Sequence, residues 1–169
     1  MSRRWAAIAV AVGICVLAYL GWRWASRPRP VSQETAAEAA LRAATPEERE
    51  LAAVRLTQFG KPAVAELVRV LQASPQPEVR AACIRGLAEQ WSYRNMPALL
   101  DALEDESALV RAQAAQGVCR LMRITNDLRW DEPAPQRAEA VKGLRAEWRR
   151  FREMPLGAAF IRQQEGEKP

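Results

Sequence analysis

Histidine is missing altogether from the 169 residues. That excludes imidazole acid/base chemistry, Ser-His and Cys-His activation of a nucleophile, and most zinc sites. Lysine is scarce: of 25 basic residues only Lys61, Lys142 and Lys168 are lysine. The three cysteines, Cys15, Cys83 and Cys119, show neither CxxC nor finger spacing. Each sits among apolar residues and reads as a packing thiol, not half of a disulfide. Eight glycines are scattered along the chain, so there is no glycine-rich loop to cradle a phosphate. No stretch alternates apolar and polar residues with the β-branched content of a strand.

What the chain does have is apolar residues and locally placed charge. At 49% hydrophobic and 27% charged it can build a core. The formal charge of +5 is local in origin. Arg3, Arg4, Arg23, Arg27 and Arg29 precede the first acid, Glu34, and from Val31 onward 20 basic residues face 20 acidic ones. The basic excess therefore reads as membrane flanking, and nucleic acid is not the expected partner.

Trp5 to Trp22 is an eighteen-residue stretch without a charge. As a helix it would cover roughly 27 Å, enough for the hydrocarbon core. Trp5 stands at one end and Tyr19, Trp22 and Trp24 at the other, as interfacial aromatics do. A cleaved signal peptide is the competing reading, since Met1 to Arg4 makes a good basic leader. Tyr19 to Ala25 offers no pair of small residues for cleavage. The expectation is an uncleaved signal-anchor over residues 1–26 and a single pass through a bacterial inner membrane. Two arginines before the span and three after it nearly tie. A four-residue tail carrying two arginines resists export, which favours a cytoplasmic amino end and an extracytoplasmic remainder.

Residues 27–44 form a spacer with two prolines, followed by an alanine- and glutamate-rich helix predicted to be exposed or loosely packed. Thr45-Pro46-Glu47-Glu48 is a capping box with proline at the first helical position. The helix it starts carries Leu51, Val54 and Phe59, and Gly60 ends it. Val64, Leu67, Val68 and Leu71 then make a helical stripe, as do Met96, Leu99, Leu100 and Leu103. Val79, Ala82, Cys83, Gly86 and Leu87 share one helix face, and Val110, Ala114, Val118 and Leu121 another. The predicted fold class is all-α: an N-terminal transmembrane helix, then a short α-solenoid.

The helices repeat. Val79-Arg80 recurs as Val110-Arg111 and Gly86-Leu87 as Gly117-Val118, both 31 residues on. Arg49 and Leu56 precede Arg80 and Leu87 by the same 31, and Leu67, Val68 and Leu71 precede Leu99, Leu100 and Leu103 by 32. Two helices per such period are the signature of an α-solenoid, in which neighbouring pairs stack to cover apolar faces. Residues 77 to 88 (PEVRAACIRGLA) and 105 to 118 (DESALVRAQAAQGV) resemble the first helix of short HEAT repeats, the type also found in phycobilin lyases. The resemblance implies that Val79 and Val110 pack inward and that Arg80 and Arg111 bridge toward the neighbouring repeat. It also implies that Ala82, Ala114 and Ala115 let helices approach closely. It covers about residues 45–123, two to three helix pairs, with Glu48 standing where the first unit should have valine. Residues 124–153 supply a linker and a C-terminal capping helix bearing Ala138, Val141, Leu144, Trp148 and Phe151, and 154–169 read as a tail.

Few constellations suggest chemistry. The acidic cluster Asp101, Glu104, Asp105 and Glu106 reads as a solvated turn that caps the next helix, not a metal or acid/base site. No catalytic residue, cofactor or metal is expected, and a tetrapyrrole lyase is disfavoured because nothing beyond repeat likeness suggests its pocket. In solenoids the second helix of each pair usually lines the concave surface, which makes Glu66, Arg69, Asp101 and Glu104 candidate protein contacts. Trp91, Tyr93 and Trp130 could add aromatic contact area. The C-terminal helix carries Arg145, Arg149 and Arg150 on a net +3 surface, an alternative contact for anionic lipid or nucleic acid. The expected function is a membrane-tethered scaffold that binds another protein, without catalysis.

Overall fold

A computed structural model describes residues 31–124, 128 and 130–165. The described residues from Ser32 onward form one compact unit. The span expected over Trp5 to Trp22, with Cys15, lies outside the described residues, and among those described no helix is long and apolar enough to cross a membrane.

The described residues form helices and no strands. They are α1 (Gln33–Arg42), α2 (Pro46–Thr57), α3 (Val64–Ala73), α4 (Pro77–Glu89), α5 (Met96–Ala102), α6 (Ala108–Met122), α7 (Ala134–Glu153) and α8 (Pro155–Glu165). Short 3₁₀ turns, Lys61–Ala63 and Tyr93–Asn95, lead into α3 and α5. Helices α2, α4 and α6 pack side by side as a first layer. A second row follows: α1 packs on α2 and α3, α3 on α4, α5 on α6, and α7 on α5. Leu56, Leu67, Val70, Val79, Ile84, Leu87, Met96, Leu99, Val110 and Val118, all fully buried, fill the space between the rows.

Local chemistry sets the element boundaries. Ser32 caps α1 by accepting a bond from the Thr35 N–H at 3.1 Å. At the start of α2 the capping box closes: the Glu48 N–H donates to Thr45 Oγ1, and the Thr45 N–H donates to Glu48 Oε2, both at 3.2 Å. The chain after each first-layer helix passes through one left-handed residue, Gly60, Trp91 and Arg123 in turn. Their spacing repeats the sequence period, and only the first is glycine, so the later turns carry backbone strain of roughly 1 kcal/mol each.

The repeated glycines mark where first-layer helices cross. A Cβ at Gly86 of α4 would collide with the Thr57 side chain of α2, and one at Gly117 of α6 would lie 2.9 Å from the Ala88 Cβ of α4. Thr57 and Ala88 are themselves 31 residues apart. The period in the sequence is thus a period in close approach.

Three expectations need correction. Helix α1 is not loosely packed: Ala36, Ala37 and Ala40 are buried, because a stripe of methyl groups, weak in hydropathy, still lets α1 lie close against the α2 alanines. In α2 the inward face is Ala52, Ala53 and Leu56, while Leu51 is 50% exposed. The segment read as a tail contains α8, which folds back on α7 after a break at Met154. That turn requires Gly157, since any Cβ there would run into the Phe151 carbonyl oxygen. Asn95, the residue before α5, does not cap it through its side chain: it is buried, with its amide donating to the Leu87 carbonyl at 2.8 Å.

Candidate functional site

Two sets of residues are organised by this fold: an arginine ladder inside the stack and a cleft at its C-terminal end. The ladder uses the 31-residue period. Arg49, Arg80 and Arg111 each reach back to the carbonyls five and six residues earlier, pinning the turn that opens their own helix. Arg49 donates to the carbonyls of Ala43 at 2.8 Å and Ala44 at 3.5 Å. Arg80 donates to those of Ser74 at 3.2 Å and Pro75 at 2.9 Å. Arg111 donates to those of Asp105 at 3.0 Å and Glu106 at 2.8 Å. Two of the three also bridge forward. Arg80 holds both Asp105 carboxylate oxygens at 2.9 Å and Glu106 at 3.1 Å, and Arg111 Nε donates to the Trp130 carbonyl at 3.0 Å. The bond to Asp105 raises the Arg80 pKa further above its ordinary value, against the opposing effect of burial. With Val79 and Val110 fully buried, and Ala82, Ala114 and Ala115 at helix contacts, these residues are structural.

The polar positions on the second row lie between helices. Arg69 pairs with Glu66 on its own helix at 2.8 Å and with Glu38 of α1 at 3.5 Å, and those acids raise its pKa. Asp101 and Glu104 both receive Arg145 of α7, at 2.8 and 2.7 Å. Such exposed pairs are screened by solvent, so they set register more than stability. Between α3 and α5 lies a groove of about 220 Å³ lined by Val68, Leu71, Gln72, Ala98 and Asp101. Trp91 is 55% exposed, with the Arg120 guanidinium 5.9 Å above its ring.

The cleft is built on Tyr93. Its hydroxyl donates to the Leu121 carbonyl at 3.1 Å, which fixes the ring at the end of the stack. Trp148 and Phe151 of α7 stand 5.7 Å from that ring, and Phe160 of α8 stands 5.9 Å from it. Against this cluster lies a hollow of about 430 Å³, walled by Pro97, Ile161 and the arginines Arg94, Arg152 and Arg162. A second hollow of about 250 Å³ shares Pro97, Trp148 and Arg152 and adds Asp101, Arg145 and Arg149. Arg150 lines neither hollow. The sequence singled out Tyr93, Arg145 and Arg149 separately, but gave no reason to join them, and it missed Arg162 because α8 was read as a tail. The available signal was Pro155 at a helix start followed by Leu156 and Phe160 at helical spacing.

The thiols are packing groups. Cys83 and Cys119 are buried, and burial pushes the Cys83 thiol up to about 12. Among the described residues no cluster of three or more His, Cys, Asp or Glu side chains is placed to hold a metal ion.

Stacked helix pairs of this period define an α-solenoid. The family described as HEAT repeats matches residues 34–119, just over half of the chain, and the chain belongs to that family. The match starts within α1, which the structure packs against α2 and α3. No curated protein and no solved structure matches the chain.

Proposed function

We propose that this protein is a membrane-tethered HEAT-repeat scaffold that binds another protein and carries out no catalysis. The observation that carries the reading is the HEAT-repeat stack itself, with its second row of helices packed into a preformed surface. HEAT repeats commonly mediate protein–protein interaction. A preformed surface loses little ordering entropy on binding. The charge-free run from Trp5 to Trp22, flanked by arginines, supports the tether, and the short amino-terminal tail with Arg3 and Arg4, which resists export, supports a repeat unit on the extracytoplasmic side of a cell membrane. Tethering would raise the local concentration of the repeats near a membrane-bound partner. The lack of histidine supports a binding role over an enzymatic one.

The test compares the full chain with a chain lacking residues 1–30. Alkaline carbonate should leave the full chain in the membrane and release the shortened one. When each purified chain is added to detergent-solubilised membranes and cross-linked, both should retrieve the same partner protein. Release of the full chain would refute the tether, and the absence of any reproducible partner would refute the scaffold.

A further inference from the structure

We propose that the cleft between α5, α7 and α8 docks an acidic segment of a partner protein that also carries a large apolar side chain. This rests on the scaffold reading above and adds the chemistry of the partner.

The floor of the cleft is aromatic and apolar, made by Tyr93, Pro97, Trp148 and Ile161. Its walls carry Arg149, Arg152 and Arg162, all exposed, none of which makes an ion pair among the described residues. The one acid lining either hollow, Asp101, is already held by Arg145 at 2.8 Å. Three uncompensated guanidinium groups around an apolar floor suit a ligand with carboxylates at its edges and an apolar group at its centre. Guanidinium matches carboxylate through paired N–H donors, and a buried aromatic anchor supplies most of the contact energy. An apolar ridge continues outward along α8, where Leu156 is 86% exposed and Phe160, one turn on, is 49% exposed against Tyr93.

The same geometry disfavours other anions. A flat bilayer meets protruding cations, whereas these line two joined hollows. An extended nucleic acid leaving the cleft along the second row would meet Asp101 of α5, Glu104 just past its end and Glu66 of α3, acids that outnumber the two arginines paired with them, Arg145 and Arg69. A short acidic segment fills the cleft without reaching them.

The probe is a fluorescein-labelled hexapeptide with a central Leu-Phe pair flanked on each side by Asp-Glu. It is titrated by fluorescence anisotropy against the full chain in non-ionic detergent. A dissociation constant on the order of 10 µM is expected. The variant R149Q/R152Q/R162Q should bind at least about 10-fold more weakly, as should a peptide with amides in place of its carboxylates. The variant R55Q/R85Q, altered on exposed first-layer positions, should match the parent. All five arginines are exposed, so circular dichroism should show both variants folded. Equal binding by the triple variant would overturn the cleft as the site. Displacement by polyuridylate or by short-chain phosphatidylserine, at lower concentration than by unlabelled peptide, would overturn the protein segment in favour of RNA or lipid. Self-association abolished by the triple variant would replace the partner with a second copy of this chain. If the parent fails to bind the peptide while its partner still co-purifies, this inference falls and the scaffold reading stands. If partner and peptide are both lost, both fall.

Discussion

Replacing Arg80 by alanine tests whether the arginine ladder holds the repeats together. The Arg80 side chain is only 10% exposed, and its partner Asp105 15%. It makes two bonds of 2.9 Å to Asp105, one of 3.1 Å to Glu106 and two to the carbonyls of Ser74 and Pro75. Removing one member of a buried pair strands the other, at a cost of about 3–5 kcal/mol. Water can reach Glu106 and part of Asp105, and Asp105 keeps a 2.8 Å bond from the Ser107 N–H. The lower end, about 3 kcal/mol, is therefore expected. Lysine at 80 should recover less than half, because one ammonium cannot span both a carboxylate and two carbonyls. Urea unfolding followed by circular dichroism measures the difference. A double-mutant cycle with Asp105→Asn should show a coupling above about 1 kcal/mol. A loss for R80A below about 1 kcal/mol would refute the ladder as a stabilising device.

Gly86→Ala should destabilise by about 1–3 kcal/mol despite the better helix propensity of alanine, since the new methyl meets the Thr57 side chain; Gly86→Ala with Thr57→Ser should recover part of the loss in the same urea titration. Trp91→Gly should raise stability by roughly 0.5–1 kcal/mol, because it relieves a left-handed tryptophan whose ring is 55% exposed, and an unchanged or lower urea midpoint would count against strain at that turn. Trp148→Phe should cost little, since the buried indole N–H has no hydrogen-bond partner to lose, whereas Trp148→Ala should cost about 3–5 kcal/mol and detach α7; thermal melts of the two decide it. Cys83 in the native protein should resist iodoacetamide at pH 8, where its thiol stays neutral. Since its pKa rises on folding from 9.0 to about 12, stability from this group is complete below pH 9 and falls as pH rises toward 12, which urea midpoints across that range would show.

Much of the stack was legible because its period is written in residues that each do one thing. Val79 and Val110 fill the core, Arg80 and Arg111 pin the turns, and Gly86 and Gly117 permit the crossings. Helix α1 was undervalued because alanine contributes little to a hydropathy stripe, yet its small side chain permits the close approach that buries it. The cleft was not legible as a unit. Tyr93, Trp148 and Arg162 are far apart in sequence, and they meet only because α7 lies against α5 and α8 folds back over α7. No local pattern encodes that meeting. The second-row candidates were legible as polar and surface-lying, but their pairing with Glu38 and Arg145 depends on which helices become neighbours.

The most direct test of the scaffold places a photo-activatable amino acid in the full chain, one position at a time, in living cells. Second-row and cleft positions Gln72, Pro97 and Arg152 are compared with exposed first-layer positions Arg55, Arg85 and Gln116. Discrete protein adducts from the first set and none from the second would confirm that this face binds a partner. Adducts from the first-layer set alone, or from neither, would contradict it.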